Sequence, residues 1–223
     1  MSDMMTGLMV IFMFISIAYM MKVSQHQTII QDFVDYRTKI YDRLVNKFSG
    51  NMEKWDMSVG KDLKIRFENP EVLFESGSYQ LTPKFREILD EFIPQYLDIL
   101  LDESISNNIE EIRIEGHTDD KPIPSLGPDP FLANARLSQL RSYSVLEYIR
   151  NMAAFRSKSK EQRDTLDFWL TANGLSYGKA IDEDGVYTIV SGKKINRDKS
   201  RRVEFRIVTT DIEVMETFVN SIN

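Results

Sequence analysis

The feature that most constrains this chain is an uninterrupted apolar segment close to its beginning. Residues 4–21 read MMTGLMVIFMFISIAYMM and carry no charge, with Asp3 before them and Lys22 after them. At about 1.5 Å per residue, a helix of this length spans about 27 Å, close to the roughly 30 Å hydrocarbon core of a bilayer. The segment predicts a transmembrane helix over residues 1–22 with a carboxylate at one end.

A cleaved signal peptide is the alternative for the same segment. Ser16-Ile17-Ala18 has small residues at a plausible cleavage spacing. However, signal peptides begin with basic residues, whereas this chain begins Met1-Ser2-Asp3. Cleavage after Ala18 would produce a secreted protein, and retention produces a single-pass anchor. We expect the anchor.

Asp3 has two interpretations. An acidic side chain that enters a bilayer is costly unless it faces protein, water or an ion, so Asp3 could carry an ion. Alternatively, Asp3 is a helix N-cap at the interface, a common place for aspartate. At about 100° per residue, it shares one helix face with Gly7, Val10, Phe14 and Ile17, and Gly7 would allow a partner to approach closely. From the pattern alone, the capping interpretation is the simpler one.

The composition argues against several functional classes. The chain has 223 residues and a formal charge of −6, whereas nucleic-acid binding requires a basic surface. Cysteine is absent, which excludes disulfides, thiolate nucleophiles, cysteine-ligated metals and a lipidated-cysteine anchor. No phosphate-binding loop or nucleophile motif is present. Of the two histidines, His26 has no acid–base partner suggested by the sequence, and His117 is expected to pack or to form a hydrogen bond at its loop. We expect no enzymatic activity, no bound metal and no nucleic-acid partner.

Residues 23–59 predict a helical stalk. Apolar side chains recur at spacings near three, four and seven residues, which is typical of an amphipathic helix that could pair with a copy of itself. These positions are Ile30, Phe33, Ile40, Leu44 and Phe48. Arg37 interrupts the pattern, so a sustained coiled coil is not established. Ser49-Gly50-Asn51 supplies suitable residues to end the helix.

Residues 60–223 predict one domain with an α/β fold of the two-layer α+β kind, in which a mixed sheet is covered by helices. Alternating or short apolar runs predict strands over residues 63–67, 112–115, 168–171 and 203–208. Helices are predicted over residues 83–101, 134–152, 155–168 and 212–221. A proline-rich loop over residues 121–131 separates the second strand from the second of these helices.

Three segments of this domain contain the candidate binding residues. They are GHTDD at residues 116–120, NARLSQLR at residues 134–141 and NRDKSRRVEF at residues 196–205. Asp119 follows a strand end, where loops carry function, and Arg141 lies one helical turn beyond Ser138. A carboxylate and a guanidinium in one pocket would bind a zwitterion, because each takes the opposite charge of the ligand. The competing interpretation is an ordinary ion pair between Asp119 and Arg141.

The order of these motifs resembles the OmpA-like peptidoglycan-binding domain. The upstream segment VLFESGSYQLTP is also similar to that family, and the resemblance covers roughly residues 60–210. It implies binding to the peptide stem of peptidoglycan at its diaminopimelate residue, with Asp119 taking the ammonium and Arg141 the carboxylate. Thr118, Asn134 and Arg201 also match motif positions. The proline-rich loop and an apparent insertion at residues 153–168 depart from the family and could narrow or cover the pocket.

The membrane segment has its own resemblance. SDMMTGLMVIFMF is similar to the transmembrane start of MotB-type stator subunits, whose aspartate binds the coupling ion and whose homodimer sits inside a ring of MotA-type multi-span subunits. The short N-terminus and the LSQLR…SVLEYI form resemble the ZorB subunits of Zorya anti-phage systems, for which the ring partner would be ZorA-like. The resemblance implies that Asp3 carries H⁺ or Na⁺, with no other cofactor. Only Met1 and Ser2 precede Asp3, so it would lie shallower than the family's aspartate.

The two resemblances together imply an orientation. A peptidoglycan binder must lie outside the inner membrane, so the domain would be periplasmic and the N-terminus cytoplasmic. We therefore expect a subunit of an ion-driven inner-membrane motor, serving phage defence or, alternatively, a flagellar-type motor. A passive tether between the inner membrane and the cell wall, without ion transport, is the competing hypothesis.

Overall fold

The computed structural model describes residues 2–75 and 77–210, with side chains described from residue 7 except at 25–30, 32 and 33. The side chain of Asp3 and the helix predicted over residues 212–221 lie outside the described part. The helices and strands follow in chain order: α1 (Ser2–Phe48), β1 (Met57–Val59), β2 (Lys64–Phe67), α2 (Pro70–Leu73), α3 (Pro83–Leu100), α4 (Glu103–Ser106), β3 (Ile109–Gly116), α5 (Pro130–Asn151), α6 (Ala153–Arg156), α7 (Lys160–Trp169), β4 (Leu170–Gly174), α8 (Thr188–Ser191), α9 (Arg197–Ser200) and β5 (Val203–Thr209).

The predicted membrane helix and the predicted stalk form one continuous helix. Helix α1 contains 47 residues and is therefore about 70 Å long. Its segment Gly7–Ser24 is long and apolar enough to cross a membrane, and none of that segment is buried against the rest of the chain. Helix α1 ends at Phe48, directly before the predicted Ser49-Gly50 stop.

The last three turns of α1 belong to the core of the domain. Ile40, Leu44 and Phe48 are fully buried, and the Phe48 ring lies 5.0 Å from the ring of Phe92 in α3. At their polar flank, the Arg43 guanidinium lies 2.7 Å from a carboxylate oxygen of Asp102. The apolar periodicity at these three positions thus serves packing within the chain, so the hydrophobic core begins at Ile40, inside the predicted stalk.

The sheet is mixed, as predicted. Its five strands lie in the order β1-β2-β5-β3-β4, with β3 and β4 parallel and the other pairs antiparallel. The rings of Phe67 in β2 and Phe205 in β5 pack edge-on against that of Phe92 in α3, at 5.3 and 5.4 Å. The opposite face of the sheet carries charged side chains. Strand β1 was not predicted, because its three residues are too few to show an alternating pattern.

Two predicted boundaries were wrong. Helix α5 begins at Pro130 rather than near Asn134, because the Asp129 side chain accepts hydrogen bonds from two backbone N–H groups of the first turn and Pro130 fits the first helical position. The strand predicted over residues 168–171 begins at Leu170, because α7 continues to Trp169. Phe168 was misread as a strand residue, since its side chain is 76% exposed on the helix.

Candidate functional site

The candidate site begins where the chain leaves strand β3. The backbone N–H of His117 donates to the carbonyl of Arg202 at 3.0 Å. The next N–H, that of Thr118, donates to the carbonyl of Ser176 at 3.1 Å. These bonds hold GHTDD between the start of β5 and the loop after β4. As a result, Asp119 projects from a fixed backbone.

Two glycines allow helix α5 to pack directly on the ends of β3 and β4. Gly116 and Gly174 are paired across these strands. A Cβ atom on Gly116 would lie 2.3 Å from the backbone oxygen of Ser138, and one on Gly174 would lie 2.3 Å from the backbone nitrogen of Gln139. Only glycine fits at either position. This close approach sets the distance between α5 and the segment that contains Asp119.

Ser138 locks the same contact with hydrogen bonds. Its side chain is fully buried, and its hydroxyl oxygen accepts from the backbone N–H of Ser176 at 3.0 Å. The Ser176 hydroxyl in turn donates to the carbonyl of Phe131 at 2.9 Å. Ser138 lies in the third turn of α5 and thereby joins this helix to the loop after β4.

A cleft of about 840 Å³ opens beside these elements. The proline-rich loop contributes one wall through residues 121–124, and α2 with the following loop contributes another. The apparent insertion at residues 153–168 does not line the cleft. All five predicted peptidoglycan contacts line this cleft: Thr118, Asp119, Asn134, Arg141 and Arg201.

Asp119 pairs with Arg201 rather than with Arg141. Its Oδ2 atom accepts from Nη1 of Arg201 at 2.6 Å, and its Oδ1 atom accepts from the backbone N–H of Lys121 at 2.9 Å. Arg201 also reaches Asp198 on the solvent side, at 2.5 Å. The ion pair between Asp119 and Arg141 that was considered as an alternative is therefore not formed.

The Arg141 side chain is fixed in place but has no ion-pair partner among the described residues. Its Nε–H donates to the carbonyl of Ser78 at 2.9 Å, and its guanidinium lies over the Phe74 ring at 4.8 Å. Within the described part of the chain, its two terminal nitrogens donate to no protein acceptor. Burial, and then the nearby charge of Arg201, lower the pKa of Arg141 to about 10, while Asp119 opposes this shift. Arg141 thus stays charged at neutral pH, with a free edge toward the cleft.

Asn134 and Thr118 both line the cleft, but only the Asn134 side chain has hydrogen-bond partners among the described residues. The Asn134 amide donates to the carbonyl of Lys121 at 2.9 Å and to that of Pro130 at 3.0 Å. Asn134 and Asp119 therefore fix the backbone of Lys121 from both sides. Thr118 is buried, and its hydroxyl has no partner among the described residues. Sequence reasoning had placed both residues as possible ligand contacts.

A second cluster of buried charges lies behind the site. Nε2 of His117 is 3.8 Å from Glu115 and 3.7 Å from Glu204, close enough for all three to share a metal ion. However, three cations already lie near Glu204: Arg202 at 2.6 Å, Lys64 at 3.1 Å and Arg66 at 3.4 Å. A divalent cation would meet their repulsion, so we interpret the cluster as a structural ion network.

The pKa values in this network follow from its charges. Burial alone would raise the pKa of Glu204, but the positive charges of Arg202 and Lys64 hold it at about 2. Burial lowers the pKa of His117, so the imidazole is favoured in its neutral form.

Comparison with known proteins identifies the family of the domain and the family of the whole chain. The sequence profile described as "OmpA family" matches residues 73–180. Zorya protein ZorB from Escherichia coli strain Crooks is 37% identical over 219 residues, covering 94% of this chain and 86% of that protein. The chain belongs to the ZorB family. Its OmpA-family domain contains the whole cleft except Pro70, Glu71 and Arg201.

Two solved structures are also similar to this ZorB-family chain. The cell wall anchor of the T6SS from Pseudomonas aeruginosa matches with a TM-score of 0.46 and 20% identity, covering 74% of this chain and 96% of that one. The periplasmic domain of Helicobacter pylori MotB matches with a TM-score of 0.43 and 16% identity, covering 71% and 84%.

Several residues that build the site were missed by sequence reasoning. Phe74 and Ser78 orient Arg141, Lys121 is held by two site residues, and Gly174 and Ser176 place α5. Gly174 carries the one available signal, since a glycine inside a strand often marks a close approach of another backbone. The others act through backbone atoms, a ring face or, for Ser176, also a hydroxyl bond to the Phe131 carbonyl, and the sequence does not reveal these contacts.

Proposed function

We propose that this ZorB-family chain is a stator-like membrane subunit that anchors an ion-driven motor to peptidoglycan. One observation carries the proposal of anchoring: Asp119, Arg141 and Arg201 meet in a single cleft, most of which lies within the OmpA-family match. The apolar segment of α1, which runs without a break into that domain, supports the membrane half. The role is one of binding and force transmission rather than catalysis.

The ligand proposed for the cleft is the diaminopimelate residue of a peptidoglycan stem peptide. Its free carboxylate binds the terminal nitrogens of Arg141, which have no acceptor among the described residues. Its ammonium approaches Asp119, which shares its charge with Arg201. Thr118 and Asn134 keep the backbone around Asp119 and Lys121 in place.

Binding to purified sacculi tests the anchoring half. In the full-length protein in mild detergent, Arg141→Ala leaves the ligand's carboxylate without its partner, and Asp119→Ala leaves the Arg201 guanidinium and the Lys121 N–H without this acceptor, at a cost of roughly 2–5 kcal/mol each. Bound fractions should therefore fall at least about tenfold. Asp120→Ala and Arg136→Ala are matched controls, because these neighbours do not line the cleft. Equal pull-down of the site variants and the controls would refute the assignment.

The membrane half of the proposal assigns the coupling ion, H⁺ or Na⁺, to Asp3. The N-terminus would be cytoplasmic and the domain periplasmic, with a homodimer held inside a ring of MotA- or ZorA-like subunits. Asp3→Asn should abolish function in cells and leave membrane insertion intact. Asp35→Asn, an exposed aspartate of the same helix, is the control. Normal activity of Asp3→Asn would leave only the passive tether.

Purification in mild detergent separates the motor from the tether. A stable complex with a larger multi-span protein supports the motor, whereas a dimer without such a partner supports the tether. The neighbouring genes distinguish a role in phage defence from a flagellar-type role.

A further inference from the structure

We infer that the cleft selects its ligand by the carboxylate first, and that the ligand's ammonium adds comparatively little to affinity. The inference rests on the proposed function and concerns the chemistry of that same site. It predicts discrimination between free and amidated forms of the ligand's diamino acid.

The first argument is the balance of charges in the cleft. Among the described residues, Arg141 is buried and forms no ion pair, whereas the partly exposed Arg201 is paired with Asp119 in the cleft and with Asp198 outside it. The other acidic side chains of the cleft, Glu71 and Glu75, are exposed at its rim. A buried charge without a counter-ion is unfavourable, so an incoming carboxylate removes a cost that the empty site carries.

The hydrogen bonds of Asp119 are the second argument. One oxygen accepts from Arg201 and the other from the backbone N–H of Lys121. A carboxylate can accept further bonds, so an ammonium still finds a place there. However, the charge of Asp119 is already neutralised by Arg201, so the ammonium contributes less binding free energy there.

The orientation of Arg141 is the third argument. Ser78 occupies the Nε–H and Phe74 covers one face of the guanidinium, which leaves the edge formed by Nη1 and Nη2. This edge matches the two oxygens of a carboxylate. In a primary amide, one of those oxygens is replaced by an NH₂ group, which would point donors at donors. Amidation thus removes both the charge and one of the two hydrogen bonds.

A set of three soluble muropeptides tests this order of preference by calorimetry on the full-length chain in detergent. The parent carries free diaminopimelate, the second is amidated at the side-chain carboxylate, and the third has hydrogen in place of the side-chain ammonium. Amidation should raise the Kd at least about tenfold, because a hydrogen bond to a charged group is lost together with its charge. Loss of the ammonium should raise it no more than about threefold.

The outcomes are distinct. If loss of the ammonium weakens binding as much as amidation does, the inference is wrong while the proposed function stands. If the parent muropeptide itself does not bind, the proposed function fails.

Variants of Arg201 provide an independent check. Arg201→Met exposes the full charge of Asp119, so the ratio of Kd values between the ammonium-free ligand and the parent should increase several-fold. Arg201→Lys keeps a positive charge and should keep the ratio low, which also covers the case in which Arg201→Met does not fold. Arg197→Met is the control, because Arg197 pairs with Asp120 outside the cleft. An unchanged ratio in folded Arg201→Met, or a raised ratio in Arg201→Lys, would overturn the inference.

Discussion

Replacement of Gly174 by alanine is the sharpest test of how the site is built. Gly174 ends strand β4 and faces the third turn of α5. An added Cβ would lie 2.3 Å from the backbone nitrogen of Gln139, 2.7 Å from its Cα and 2.8 Å from the carbonyl oxygen of Ala135. All three atoms belong to the helix backbone, so no side-chain rotation relieves the overlap. Either α5 or β4 has to move.

The size of the effect follows from these distances. Ordinary contact of a Cβ begins near 3.4 Å, so the helix has to shift by about 1 Å. Overpacking of this kind typically costs about 1–3 kcal/mol. For a chain of this size, that corresponds to a loss of roughly 2–12 °C in Tm. Because α5 also carries Arg141, the same shift moves the guanidinium relative to Asp119 and should weaken ligand binding at least about tenfold.

Thermal unfolding and sacculus pull-down of the full-length chain measure the two effects. Gly178→Ala is the matched control in the same loop region, since a Cβ there would have its nearest neighbour at an ordinary 3.5 Å. The control should retain both stability and binding. If Gly174→Ala behaves like Gly178→Ala in both assays, the close approach of α5 does not set the geometry of the site.

Three further predictions concern the core, the ion network and the orientation of Arg141. Leu44→Ala should cost about 2–5 kcal/mol of unfolding free energy in urea, whereas Val34→Ala, on the exposed part of the same helix, should cost little. The folded-state pKa of Glu204 is about 2, below its ordinary value of 4.5. Ionised Glu204 therefore contributes roughly 3 kcal/mol to the free energy of unfolding above about pH 4.5, and this contribution is lost as the pH falls toward 2. Urea unfolding across this pH range should show the loss, and Glu204→Gln should show a flatter dependence of stability on pH. Phe74→Leu should weaken muropeptide binding about threefold to tenfold and accelerate solvent exchange of the Arg141 Nε–H in NMR, whereas an unchanged exchange rate would contradict the stacking role.

The fold was largely predictable because its strands and helices follow regular hydrophobic periods. The strand at residues 203–208 alternates in the sequence, and the structure has β5 at Val203–Thr209. The helix predicted from Pro83 to about Leu101 corresponds to α3, which ends at Leu100. Prediction failed where a helix cap or a neighbouring element, rather than the hydrophobic periodicity, sets the boundary of an element. Asp129 starts α5 a full turn early, and Phe168 is apolar but exposed on a helix.

The residues of the candidate site could be predicted from the sequence, but the hydrogen bonds and ion pairs among them could not. The ordered motifs named Asp119, Arg141 and Arg201, and all three line one cleft. Their partners could not be predicted, because a charge pattern does not specify which cation reaches which carboxylate. Arg201 lies 82 residues from Asp119 in sequence and forms the ion pair, whereas Arg141 takes a backbone carbonyl.

The continuity of α1 determines how a mechanical force on its apolar segment would be transmitted to this site. In a chain with a flexible linker, rotation or tension at the membrane would be lost in the linker before it reached the domain. Here the helix is continuous from Ser2 to Phe48, and its last turns are enclosed by the core at Ile40, Leu44 and Phe48. Movement of α1 at these positions requires buried apolar surface to be exposed, which costs several kcal/mol for side chains of this size. The domain therefore encloses the end of α1 within its own core, so a load applied along α1 would act directly on the fold that contains the cleft.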